Sequence, residues 1–143
     1  MSDVNISFDI RGPDMRVIAD KAVKKAVPVT AMQALKDCNK YCKFDYGGLI
    51  FSSVIHTQLA STVNTSEIPD REMQWARASE GSDIENGVLV WNMPYAEDQY
   101  DFPVAHQDKN PLATSEWCKW AEHNHGNNWK RVFVNTLNRE GLG

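Results

Sequence analysis

Three cysteines and four histidines are the residues of this chain whose chemistry reaches beyond packing. Cys38 and Cys42 are spaced i, i+4, so on a helix they share one face. Cys118 can approach them from a second helix. With His123 or His125 the set offers thiolate sulfur and imidazole nitrogen, ligand types that zinc accepts in a tetrahedral site. A second constellation combines His106, His123 and His125 with Asp98, Asp101 or Glu122, as a general base or a hydrolytic metal site. A third pairs Cys118 with His106 as nucleophile and base. Each has a plainer reading. Structural zinc sites mostly use CxxC knuckles, whereas two cysteines one helical turn apart behave as small buried hydrophobes. His123 and His125 fall near a predicted helix break, where a solvated pair is expected. No HExxH, GxSxG, P-loop or GxGxxG accompanies any of these residues. The expectation is no enzyme, no metal and no cofactor, with a small metal-dependent hydrolase as the alternative.

The elements that must position these residues follow from periodicity. Residues 4–10 (VNISFDI) alternate apolar and polar with period two, which predicts a half-buried strand ended by Gly12-Pro13. Asp14 is a candidate N-cap for a helical rhythm over 15–43. Pro28 interrupts it, because proline lacks a backbone donor and clashes with the preceding turn, so 15–26 and 30–43 are predicted as two segments. Gly47-Gly48 turns the chain, returning Leu49 and Phe51 to the core. Residues 56–63 (HTQLASTV) have the β-branched content of a strand. Residues 64–83 are polar and without steady period, apart from one candidate helical turn at 70–78, and read as an inserted loop. Residues 87–92 (GVLVWN) form the clearest strand. Pro94 then opens a short helix through Tyr100, and 101–113 is a loop. Thr114 or Ser115 caps a last helix reaching about residue 138, with a break near Gly126-Asn127-Asn128. Its apolar face comprises Trp117, Trp120, Ala121, His125 or Asn124, Trp129, Val132, Phe133 and Leu137.

The fold class that results is α+β in a single domain, 1–143. A small, mostly antiparallel sheet from 4–10, 56–63 and 87–92 carries a long N-terminal helix, kinked or split near Pro28, and a C-terminal helix. The chain's 143 residues can bury a core without metal or disulfide staples. Its net charge of −4 argues against a general nucleic-acid-binding face. No apolar run approaches the roughly 20 residues of a membrane span, so no membrane association is expected. The first residues carry neither a basic n-region nor an apolar h-region, so no secretory signal is expected. An odd number of cysteines fits reduced thiols in a cytoplasm. Lys21, Lys24, Lys25, Lys36, Lys40 and Lys43 make a solvated face; a channel lining that faces DNA or an acidic partner ring is the sharper reading of the same lysines.

One stretch is more distinctive. Val88-Leu89-Val90-Trp91 runs into Asn92-Met93-Pro94-Tyr95-Ala96-Glu97-Asp98-Gln99-Tyr100, followed by His106, by Asn110-Pro111-Leu112-Ala113, and by Trp117, Trp120 and Trp129. Strand-WNxPYAxxQY, then H, then NPxA, then spaced tryptophans on a terminal helix resembles the minor capsid proteins of tailed bacteriophages. These belong with head–tail connector, neck and tail-completion proteins. Phe44, Gly47, Leu49 and Ser52 match a second family segment, PFxTGxLxxS, in which Cys42-Lys43 and Tyr46 depart from the pattern. The resemblance spans 87–130 and, more loosely, 32–54. It implies a structural virion protein at the head–tail junction, assembled in the host cytoplasm, that joins the capsid connector to the tail. Implied partners are further copies in a ring of six or twelve, portal, adaptor or stopper proteins, and tail terminator or tail tube proteins. DNA contact in the channel is allowed but not indicated. A soluble adaptor binding a host protein through 64–83 is the remaining alternative. Within the motif, Trp91, Pro94, Trp117, Trp120 and Trp129 are expected to form the packed core. Tyr95, Tyr100, Phe102, His106 and Asn110 are expected at an interface with a neighbouring subunit.

Overall fold

The computed structural model describes residues 10–11, 15–18, 25–43, 47–101 and 110–139. Helices dominate. Two long ones, α1 (Ala26–Lys40) and α5 (Trp117–Arg139), make the most extensive packing among the described residues. They run antiparallel, since Asp37 meets Trp129 while Tyr41, further along α1, meets the earlier residue His125. Ala26 and Val27 at the start of α1 close on Phe133 and Leu137 near the end of α5. Shorter helices α2 (Gly48–Val54), α3 (Asp70–Ala78) and α4 (Ala96–Asp101) complete the helical set. Strand content is slight: β1 (Ile10–Arg11), β2 (Met15–Ile18) and β3 (Val88–Trp91) pair antiparallel in the order β1-β2-β3. Met15 lies opposite Trp91 and Ile18 opposite Val88.

This arrangement corrects several expectations. Met15–Ile18 is a strand rather than the start of a helix. Pro28 does not split α1; it sits in the first turn, where the backbone N–H has no intrahelical acceptor, so proline costs little there. Of the expected strand 4–10, only Ile10 lies within the described residues, as part of β1. Residues 56–63 contribute no strand to the sheet: Gln58–Thr62 is a 3₁₀ turn. The hydroxyls of the segment explain why. Thr57 Oγ1 donates to the Val54 carbonyl at 2.9 Å and accepts from Leu59 N at 3.1 Å, while Thr62 Oγ1 donates to the Leu59 carbonyl at 2.7 Å. These local bonds satisfy backbone groups that a strand would have offered to a neighbour.

The C-terminal helix has no break at Gly126, and α5 is continuous. A glycine inside a helix costs about 1 kcal/mol against alanine. Here His125 and Trp129 are tied to α1 on either side of it, so packing outweighs that cost. Nor does a Thr114 or Ser115 cap begin α5 directly, because Glu116 intervenes with φ of 50°. The segment read as an inserted loop is ordered. Its residues 70–78 form α3 as expected, with Asp70 and Glu72 in the first turn and Arg77 in the last, matching the helix dipole.

The chain after α3 closes the outer edge of β3. Asp83 exchanges two backbone hydrogen bonds with Val88, at 2.8 and 2.9 Å. Ser82 Oγ accepts from Val90 N at 3.0 Å, and Ser52 Oγ, on α2, accepts from Asn92 N at 3.3 Å. Exposed strand edges invite pairing with other chains, and here serine hydroxyls occupy that edge. Among the described residues no helix is long and apolar enough to cross a membrane.

Candidate functional site

The end of β3, α4 and the start of α5 converge on one aromatic cluster. Trp91 and Trp117 are both fully buried, their rings edge to face with centroids 6.0 Å apart. Tyr100, 3% exposed, packs edge to face on Trp117 at 4.7 Å. Perpendicular arrangements suit aromatic quadrupoles and add about 0.5–1.5 kcal/mol to burial alone. A polar chain fixes the orientation of Trp91. Its indole N–H donates to Asn39 Oδ1 at 2.9 Å, the Asn39 amide donates to Ser53 Oγ at 3.0 Å, and Ser53 donates to the Ile50 carbonyl at 2.7 Å. The Trp117 indole N–H has no hydrogen-bond partner among the described residues.

A second polar anchor joins the long helices. Asp37, 1% exposed, accepts from the indole of Trp129 at 2.7 Å and from Gln33 Nε2 at 3.2 and 3.3 Å, and pairs with Lys40 Nζ at 3.1 Å. Burial pushes the carboxyl pKa up, but the three donors and the Lys40 charge outweigh it, and the net position is below the usual carboxylate value. A buried charge is tolerated only when paired in this way.

The connection after α4 is tied at its far limb. The Asn110 amide donates to the carbonyls of Lys40 at 3.1 Å and Cys42 at 2.9 Å, satisfying the C-terminal end of α1. Its own Oδ1 accepts from Leu112 N at 3.1 Å. Thr114 N donates to the Tyr41 carbonyl at 3.0 Å, and Glu116 N to that of Tyr100 at 2.7 Å. On the other side of the cluster the half-buried Tyr95 donates to Glu72 and meets Trp75 edge to face at 6.4 Å, while Arg71 lies over the Trp75 ring at 5.0 Å.

No family model matches the chain, and neither a curated protein nor a solved structure is significantly similar to it.

The expected core residues Trp91, on β3, and Trp117 and Trp129, on α5, are buried, whereas two others need correction. Trp120 is 50% exposed and stacks obliquely against His123, 5.9 Å away, and Pro94 is exposed. Position explains Trp120. Trp117, Ala121 and Trp129 occupy the inward stripe of α5, and Trp120 falls outside it. Among the expected interface residues, Tyr100 is buried in the chain's own core, and Asn110 spends its amide on the end of α1. Tyr95 is half-buried, and Phe102 and His106 lie outside the described residues.

The candidate histidines have partners other than the cysteines. His125 shares a 2.8 Å hydrogen bond with Tyr41, and His123 turns to Trp120. Among the described residues no group of three histidine, cysteine or acidic side chains is placed to hold a metal ion. Cys38, Cys42 and Cys118 are buried, Cys42 just beyond the end of α1. Burial first, then the neighbouring thiols, pushes the pKa of Cys118 well up; Cys42 is raised by burial and Cys38. Both are held as protonated thiols, the unreactive form. A groove of about 710 Å³ opens among Met32, His56, Glu80, Asp83, Glu85 and Val90. It is acid-lined, by Glu80, Asp83 and Glu85. Asp37, Asn39 and the serines that close β3 were not legible as site residues: a polar side chain on a helix looks solvated until its neighbours are known.

Proposed function

We propose that this chain is a structural virion protein of a tailed bacteriophage, a ring-forming neck or tail-completion subunit of the minor capsid group at the head–tail junction. The observation that carries the proposal is the ordered sequence string from Val88 to Trp129, WNxPYAxxQY, H106, NPLA and the spaced tryptophans. In support, Trp91, Tyr100 and Trp117 of that string form one packed unit, and Asn110 and Glu116 fasten the returning limb of the 101–113 connection to α1 and α4. Residues fastened in this way are preorganised, which lowers the entropy lost on docking. The fold in this reading is α+β, with the helices carried on a small antiparallel sheet. The chain is assigned no catalytic step. Its partners are copies of itself in a closed ring, joined head to tail, and the portal-side and tail-side proteins of the junction.

The docking surface in this reading includes the half-buried Tyr95 and the exposed Trp120; Phe102 and His106, expected at the same interface, lie outside the described residues. Mass spectrometry of purified particles should find the protein, and the isolated protein should form rings alone or with its junction partners. His106→Ala and Trp120→Ala should each leave the monomer folded and weaken assembly. Absence of the protein from intact virions would remove the proposal.

A further inference from the structure

We propose that Asn86-Gly87 is a self-modification site that Asp83 holds in check. The Gly87 nitrogen closes on the Asn86 side chain to give a succinimide, and hydrolysis leaves an aspartyl or isoaspartyl residue in its place. Asn86-Gly87 is the one Asn-Gly pair in the chain. Asparagine is thermolabile, and a following glycine puts no side chain in the way of the attacking nitrogen. Asn86 is exposed, so water and base reach it. Both reacting groups are nevertheless tied down. Asp83 holds the electrophile: Asn86 Nδ2 donates to Asp83 Oδ2 at 2.7 Å, and Asn86 N donates to Asp83 Oδ1 at 3.3 Å. The nucleophile is engaged in the turn, with Gly87 N donating to the Ile84 carbonyl at 3.0 Å. Ring closure also needs Asn86 Cβ and the Gly87 nitrogen eclipsed about the Cα–C bond, which the 3₁₀ backbone of Ile84–Asn86 does not give. Reaction therefore waits on local opening of this turn.

The atoms balance with water as the only co-reactant. Hydroxide carries the proton from Gly87 N, which bonds to Asn86 Cγ; the Cγ–Nδ2 bond breaks, and water returns a proton to the nitrogen that leaves as ammonia. Water then opens the ring at one of its two carbonyls. Attack at Cγ breaks the new bond to Gly87 N and leaves an aspartyl residue. Attack at the main-chain carbonyl breaks the original peptide link, and the chain then runs through the side chain as isoaspartyl. Either product exchanges an amide for a carboxylate. A second negative charge then stands where Nδ2 had donated to Asp83, and the two repel. Asp83 also makes the two backbone hydrogen bonds with Val88, at 2.8 and 2.9 Å, that close the edge of β3. The isoaspartyl form further lengthens the backbone between these two partners. Both changes loosen the bridge and leave a strand edge open to pairing with another chain.

The test ages the full chain in mildly alkaline buffer, native in one arm and unfolded in guanidinium in the other, and follows it by peptide mass spectrometry. In the unfolded arm position 86 should be the first asparagine to exchange NH₂ for OH, with isoaspartyl exceeding aspartyl. In the native arm its rate should be lower by about tenfold or more, because the hydrogen bonds of the turn must open first. Asp83→Ala should recover most of that difference in the native arm, and Asn86→Gln should give no product there. Hydrogen exchange at the Val88 amide should quicken in the modified fraction of the aged native protein. Equal rates in the two arms, another asparagine reacting first when unfolded, a folded Asp83→Ala as slow as the parent, or unchanged Val88 exchange after modification would each overturn the proposal. The two arms of the parent chain decide the matter even if Asp83→Ala fails to fold.

Discussion

Replacing Trp129 by phenylalanine isolates the anchor between the long helices. The ring stays aromatic and apolar, but the donor that reaches Asp37 Oδ2 at 2.7 Å is lost. Asp37 is 1% exposed, so water cannot take the donor's place without opening the helix pair. A hydrogen bond to a charged group contributes about 1.5–3 kcal/mol. The smaller ring also leaves space beside the carboxylate, which adds on the order of 1 kcal/mol. The expected destabilisation is therefore about 3 kcal/mol, read from urea titrations followed by circular dichroism. The pH dependence supplies a second, independent check. The folded carboxyl titrates below its ordinary value of 3.8, so the charged form is the one the fold favours. Stability from this group is present above the unfolded pKa and is lost as pH falls through the folded one. The difference between parent and Trp129→Phe should thus be full at neutral pH and shrink below about pH 4. A difference under about 0.5 kcal/mol at pH 7 would refute the anchor, given the magnitudes above. So would a difference that persists unchanged into acid.

Trp91→Ala should cost about 3–5 kcal/mol in the same titrations, since it empties a fully buried site and strands the Asn39 carbonyl. Two glycines should respond in opposite directions. Gly126→Ala should stabilise by up to about 1 kcal/mol, because its methyl meets only Glu122 Cγ at 3.5 Å in an unbroken helix. Gly81→Ala should destabilise, because φ is +70° and the new methyl would sit 3.0 Å from both His56 and Ile55; equal melting temperatures for the two variants would contradict both assignments.

What the sequence by itself determined is what depends on neighbours in the chain. The apolar run Val88-Leu89-Val90-Trp91 is a strand, the 70–78 segment is a helix with acids leading and arginine trailing, and Gly47 takes the left-handed conformation, with φ of 94°, just before α2. These follow from side-chain periodicity, dipole and backbone sterics, which act over a few residues. Elsewhere local signals had equal alternatives, and long-range packing chose. By local sequence Pro28 is a helix breaker because its ring clashes within a helix, but the place where α1 begins puts it in the first turn. Gly126 has poor helix propensity, and α1 lying along α5 holds the helix through it. The β-branched 56–63 segment yielded to its own hydroxyls and turned into a 3₁₀ helix. Only tertiary structure decided which tryptophans are core: Trp117 and Trp120 sit three residues apart on α5 with equal hydrophobicity, yet one is fully buried and the other half exposed. That outcome depends on where α1, β3 and α4 lie around the helix, information that no window along the chain contains. The same reason hid Asp37, whose charge is indistinguishable from a surface one until Trp129 arrives from the other end of the chain.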